Sequence, residues 1–234
     1  MTFPKLCCAL WIGCLGSLGG AALAGPEYTE PPGDAGNRKA TATDVSMLIG
    51  AGHISGALTG VGSMLGTPPD FEDMYIINIT QPGQWLATTS PLVPDPLNPP
   101  TGGHAEFDSV LWLFEFTDER GLLANNTFMP GDTGARLINQ STDGTGVTIS
   151  VPGLYLLAIS VAGRTPVDFN GTPIFEFVGP NEISGPDGSM LPLDHWVGQP
   201  SSPIPGQYTI LIVPSPGGAG ILAFLSVAAI WRRR

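Results

Sequence analysis

The chain has 234 residues, 42% of them hydrophobic and only 12% charged, with 32 glycines and 24 prolines, a length that suits one domain with terminal extensions. All twenty acidic residues fall between Glu27 and Asp194, against five basic ones in the same stretch, so the middle carries −15 within a whole-chain charge of −11. Such a surface repels phosphate backbones and argues against nucleic acid as a partner. The cysteines, Cys7, Cys8 and Cys14, all lie near the N-terminus. Loss of that segment leaves no disulfide, no thiolate nucleophile and no Cys-bound zinc.

Residues 1–24 have the three parts of a secretory signal. Lys5 supplies the positive region, residues 6–18 the apolar stretch, and Ala22-Leu23-Ala24 a small-x-small cleavage site before Gly25. The expected partners there are the Sec translocon and signal peptidase. Residues 25–41 form a polar lead-in. From 42 to 213, period-two or continuous apolar runs alternate with turn residues, predicting strands at 53–58, 73–80, 84–90, 107–116, 121–124, 135–139, 147–151, 154–161, 174–178 and 208–213. About ten short strands without a capped helical period predict an all-β fold, an antiparallel β-sandwich or jelly roll. Residues 91–105, with five prolines, and residues 179–206 read as loops.

Val213-Pro214-Ser215-Pro216 opens the C-terminal region 214–234. Residues 217–231 carry no charge and are followed by Arg232, Arg233 and Arg234. As a helix this run would reach about 22 Å, against a hydrocarbon core of roughly 30 Å. The arginines orient it with its end in the cytoplasm and the acidic domain outside.

These residues resemble the PEP-CTERM sorting signal. Pro214 and Pro216 match its flanking prolines, 217–231 its helix, and Arg232 to Arg234 its basic tail, while Ser215 stands where the family has a central glutamate. The resemblance implies an exosortase, a membrane transpeptidase, that cuts near the proline motif. A plain C-terminal membrane anchor would give the same topology before processing.

The order of elements in the middle also resembles the pre-peptidase C-terminal domain, a small secreted β-sandwich. The matching stretches are Gly33-Asp34-Ala35-Gly36, His53-Ile54-Ser55-Gly56-Ala57-Leu58, Phe71-Glu72-Asp73-Met74-Tyr75-Ile76-Ile77-Asn78-Ile79, Phe107-Asp108-Ser109-Val110-Leu111-Trp112-Leu113-Phe114, Gly121-Leu122-Leu123-Ala124-Asn125 and Pro152-Gly153-Leu154-Tyr155-Leu156-Leu157-Ala158-Ile159-Ser160. Asn126, where acids are common in that family, and the two long loops are departures.

Few residues point to catalysis. Asp132-Thr133-Gly134-Ala135 spells an aspartic-protease loop, but that chemistry needs two carboxylates sharing a proton, and the chain has no second Asp-Thr-Gly or Asp-Ser-Gly. No nucleophile elbow and no His-Glu-x-x-His is present. His53, His104 and His195 stand apart in sequence. Carboxylates cluster at Asp70-Glu72-Asp73, at Glu106-Asp108 and at Asp118-Glu119, and calcium draws six to eight oxygens from such loops. Asp70, Glu72 and Asp73 are the first candidate ligands. Trp196, beside Asp194 and His195 in the second long loop, reads as loop packing, with stacking on a sugar as the alternative.

The expected function is therefore that of a non-enzymatic, exported envelope or matrix protein. No catalytic residue and no resident cofactor is expected. A surface module binding calcium or an exopolysaccharide is the alternative, and a secreted hydrolase ranks last.

Overall fold

The computed structural model describes residues 27–30, 34–48, 52–60, 69–90, 103–127, 133–179, 181–203 and 205–214. The expected signal segment with Ala22, Ala24 and Gly25 lies outside the described residues. So do Ser215, Pro216, the apolar run 217–231 and Arg232 to Arg234, as well as Asp132 and residues 91–102 of the first loop.

The described chain is all-β, with one 3-10 turn at Pro82–Gln84. In chain order its strands are β1 Glu27–Thr29, β2 Thr43–Asp44, β3 Gly52–Leu58, β4 Glu72–Ile79, β5 Trp85–Thr88, β6 His104–Ala105, β7 Ser109–Glu115, β8 Gly121–Asn125, β9 Arg136–Ile138, β10 Gly153–Val161, β11 Thr165–Val167, β12 His195–Val197 and β13 Gly206–Pro214. One sheet runs β1-β3-β13-β5-β9, with β6 also on β13. The other runs β2-β4-β10-β7-β8, and β11 and β12 form a separate ribbon. No helix among the described residues is long and apolar enough to cross a membrane.

Alternation along the strands builds two cores. Tyr75, Ile77 and Ile79 of β4, Leu111 and Leu113 of β7, and Leu157, Ile159 and Val161 of β10 face the other sheet. There they meet Ile54, Leu58, Trp85, Ala87, Tyr208 and Ile210. The intervening residues of the five-stranded sheet, Met74, Val110, Trp112, Phe114, Leu156 and Ala158, are equally buried on its outer face. Residues 162–198 cover them, setting Ile174, Phe175, Leu193 and Trp196 against the strands. Burial on both faces is why β7 and β10 read as nearly continuous apolar runs rather than alternating ones. Trp112 centres the outer layer. Its ring centroid lies 5.6 Å from Phe175 and 5.7 Å from Trp196, and its indole N–H donates to Ser160 Oγ at 2.8 Å.

The structure departs from the sequence expectation in several places, and short strands β6 and β12 form within residues 91–105 and 179–206 expected as loops. The sandwich is not wholly antiparallel, because β1 joins β3 and β2 joins β4 in parallel. Both are short strands of the lead-in and its sequel, too brief and too polar to show a period. Residues 147–151 form no strand and make only a single bridge, Thr148 to Gln140. Residues 174–178 form none either. The consecutive side chains Ile174 and Phe175 are both buried in one layer, which strand alternation forbids.

Trp112→Ala should destabilise the domain by about 3–5 kcal/mol, the range for a large buried aromatic. Met47→Ala, at a side chain 85% exposed, should stay within about 0.5 kcal/mol. Urea denaturation checks both, and a Trp112→Ala cost as small as that of Met47→Ala would contradict the two-faced core.

Candidate functional site: a carboxylate pocket between the sheets

The start of β4 carries a carboxylate into the interior. Glu72 and Asp73 are successive strand residues and so point to opposite faces. Glu72 lies on the outer face, where its carboxylate accepts from Arg164 Nε; Arg164 Nη1 also donates to the Gly198 carbonyl at 2.7 Å. That pair fastens the covering segment 162–198 to the sheet. Asp73 turns inward and is 1% exposed.

The opposite sheet meets it with tyrosine. Tyr208 of β13 donates its hydroxyl to Asp73 Oδ2 at 2.5 Å, and the Tyr75 and Tyr208 hydroxyls are 2.5 Å apart. With the Tyr208 proton committed to Asp73, Tyr75 is the donor between the phenols. The chain Tyr75–Tyr208–Asp73 thus links the two sheets through their polar tips. Gly56 of β3 leaves room for it, since a Cβ there would lie 2.4 Å from the Tyr208 hydroxyl and 2.6 Å from Glu30 Oε2.

Two further carboxylates arrive from elsewhere. Asp70 forms an isolated antiparallel bridge with Gly60, and its Oδ2 accepts from Thr59 N at 2.8 Å and Thr59 Oγ1 at 3.0 Å. Asp34 comes from the lead-in, which is held to β4 by Met74 N donating to the Gly36 carbonyl at 2.8 Å. Asp34 Oδ1 accepts from Gly36 N at 2.7 Å, a local Asx turn. One oxygen each of Asp34, Asp70 and Asp73 lies within 4.8 Å of the others. Glu30, at the end of β1, faces the same region with Oε2 near Ala57 N at 3.4 Å.

The electrostatics are one-sided. Burial, then the neighbouring Glu30 carboxylate, raises the Asp73 carboxyl well above the ordinary range, despite the Tyr208 hydrogen bond. Burial likewise raises Asp70, and pushes Glu30 up to about 7. Asp73 Oδ1, Asp70 Oδ1 and Glu30 Oε1 are each buried without a hydrogen-bond donor. Orphaned carboxylate oxygens of this kind are rare because they forgo solvation without replacing it. An oxygen-seeking cation would give Asp70 and Asp73 a partner, since these two and Asp34 lie close enough to share one ion. Bonds of about 2.4 Å to calcium allow ligand oxygens up to roughly 4.8 Å apart across the ion, whereas magnesium at about 2.1 Å demands a tighter octahedron. The donor set and its spread therefore suit calcium, with Asp34, Asp70 and Asp73 as ligands and Glu30 beside them.

Of the three ligands expected from sequence, Asp70 and Asp73 come together, and Glu72 belongs to the ion pair with Arg164. Asp34 and Glu30 join them from the lead-in, where Asp34 lies in the stretch Gly33-Asp34-Ala35-Gly36, two residues before Gly36. The other sequence candidates lie elsewhere. Trp196 is 7% exposed and donates its indole N–H to the Asn37 carbonyl at 2.8 Å, so it packs the covering layer and offers no open face to a sugar. His195 pairs with Asp194 at 2.9 Å on the surface. Thr133 and Gly134 line the β7–β9 region, where the Thr133 carbonyl accepts from Ser109 N at 2.9 Å. Pro214 closes β13 opposite Trp85.

No protein-family model matches the chain, and no curated protein matches it.

The raised carboxyls fix a pH dependence for the cation-free domain. Below its ordinary value of 4.5 Glu30 is protonated folded or unfolded, and above about 7 it is charged in both. Between the two, the folded state holds the proton more tightly, so stability falls as pH rises. Asp70, Asp73, Glu72, Asp108 and Glu115 shift in the same sense. Asp44 and Asp168, lowered by hydrogen bonds from Ser46 and Ser189, act oppositely but only below their ordinary 3.8. In chelator, the urea midpoint should therefore decline between about pH 5 and about pH 8; a midpoint that climbs across that interval would contradict the reading.

Proposed function

We propose that the chain is an exported, non-enzymatic surface protein whose β-sandwich binds calcium and whose C-terminus serves as a PEP-CTERM-like sorting or anchoring signal. The observation that carries the calcium assignment is the buried Asp73, with one oxygen held by Tyr208 and the other left without a donor beside Asp34 and Asp70. The cation joins two stretches distant in sequence: the lead-in with Asp34, and the run from Asp70 to Asp73 that enters β4. Its effect is structural, fixing the start of the domain onto the sandwich. This is how an extracellular module without disulfides gains stability from its surroundings.

Export and sorting rest on the two ends of the sequence. The small-x-small site ending at Ala24 supports signal cleavage before Gly25. Pro214, Ser215 and Pro216, the uncharged run 217–231 and the terminal arginines support retention at the membrane, and an exosortase-like transpeptidase as processing enzyme. The domain then faces outward at the cell envelope or passes into the extracellular matrix, where an exopolysaccharide is a further partner class.

Calcium should raise the thermal midpoint of the cation-free protein by several degrees at neutral pH, and by less as pH falls, because burial raises the Asp73 and Asp70 carboxyls and protons compete with the cation for them. Asp73→Asn keeps the Tyr208 hydrogen bond but removes a ligand charge. It should abolish the calcium response without loss of cation-free stability. Scanning calorimetry with and without calcium decides it, and an equal calcium shift in wild type and Asp73→Asn would refute the site.

A further inference from the structure

The two ends of the sandwich differ in kind. At one end lie the carboxylate pocket, the ends of β3 and β8 and the starts of β4 and β9. At the other, β13 leaves the domain. β13 is antiparallel to β3 and β5, so Pro214 sits opposite Trp85, the first residue of β5. β4 ends at the same end, because only the short turn containing Pro82–Gln84 joins it to β5. By the antiparallel registers of β10 on β4 and on β7, residues 151–154 and the β7–β8 turn lie there too. Val45, Leu48, Ile79, Trp85 and Ile212 line one cleft between the sheets at this end, which places the β2–β3 connection beside the exit strand.

Large apolar side chains are exposed at this end. Met47 (85% exposed) follows β2, while Val151 (65%) and Leu154 stand at the start of β10. The β11–β12 ribbon brings more. From Arg164 and Glu72 at the pocket end it runs to the β7–β8 turn, where Leu193 N donates to the Glu119 carbonyl at 3.0 Å and Pro192 bridges Arg120. There Phe169, Met190 and Leu191 are exposed, held together by Ser189 Oγ donating to Asp168 Oδ2 at 2.7 Å. The basic residues Lys39 and Arg120 also lie here: Lys39 Nζ donates to the Thr117 carbonyl at 2.9 Å, and Arg120 pairs with Asp118 at 2.9 Å.

From this arrangement we infer that the exit end of the domain rests on the lipid surface, with Met47, Val151 and Phe169 in the interface and the carboxylate pocket facing away. The inference rests on the proposed membrane role of the C-terminus. Only Ser215 and Pro216 separate the described end of β13 from the uncharged run 217–231. A tether of that length holds the exit end against the bilayer at an effective concentration of about millimolar or above, so weak apolar contacts suffice to orient the domain.

The signal-cleaved chain contains no cysteine, so single labels report position cleanly. Met47→Cys, Val151→Cys, Thr133→Cys and Ala228→Cys variants are labelled with a fluorophore and reconstituted in phosphatidylcholine–phosphatidylglycerol vesicles containing nitroxide lipid. Thr133 is exposed in the β8–β9 connection at the pocket end. Labels at Met47 and Val151 should be quenched several-fold more than the label at Thr133, with the label at Ala228 quenched most. Equal quenching at Met47 and Thr133 with Ala228 quenched overturns the orientation and leaves the anchor. An unquenched Ala228 overturns the anchor, and the orientation with it.

Discussion

A carboxylate buried between two sheets, with one hydrogen-bond donor and no positive charge against it, is the constraint on which the rest of this structure depends. Asp73 is an inward residue of β4, and the inward face of β4 is otherwise Tyr75, Ile77 and Ile79. Placed there alone, its ionised form would be strongly disfavoured. Three features answer that cost in part. Tyr208 reaches across from the other sheet, Tyr75 supports Tyr208, and Gly56 yields the space in which they meet. The remaining features aggravate it, since Asp34, Asp70 and Glu30 add negative charge to the same volume. Asp34, Asp70 and Asp73 each bring an oxygen within 4.8 Å of the others, the spacing on which the proposed cation site rests.

The same strand shows how little separates a ligand from a structural residue. Glu72 and Asp73 are adjacent, and the pleat sends one to Arg164 and the other to the pocket. Glu72 with Arg164 closes the covering segment onto the outer face; Asp73 with Tyr208 closes the two sheets onto each other. Both carboxyls are raised by burial, yet only one has a guanidinium to offset it. Replacing either would disturb a different layer of the molecule.

Much of this was legible in the sequence because hydrophobic patterning carries it. The runs through Trp112 and Leu156 specify β7 and β10, and Ile77, Trp112, Phe114, Leu156 and Ile159 are buried as their pattern requires. What escaped was decided by long-range geometry. β1 and β2 are two or three polar residues that become strands only because β3 and β4 offer them an edge. Ile174 and Phe175 look like strand residues, yet they serve as a lid, since an apolar pair has no period to read. Asp70 and Asp73 stood out as a cluster, whereas Asp34 and Glu30 could be joined to them only once the lead-in was seen lying along β3 and β4. Glu72 groups with them in sequence because the expected strand starts at Asp73, which leaves Glu72 outside the alternation that sends the two to opposite faces.

The central claim is that a cation sits against Asp73, within reach of the tyrosines of the pocket. Terbium, which takes calcium's oxygen ligands, emits when energy passes to it from a nearby excited tyrosine, so sensitised terbium luminescence tests that placement directly. The account predicts emission on tyrosine excitation in the wild-type protein, displaced by calcium and lost in Asp73→Asn at neutral pH. Sensitised emission that persists unchanged in Asp73→Asn, or that calcium fails to displace, would contradict it.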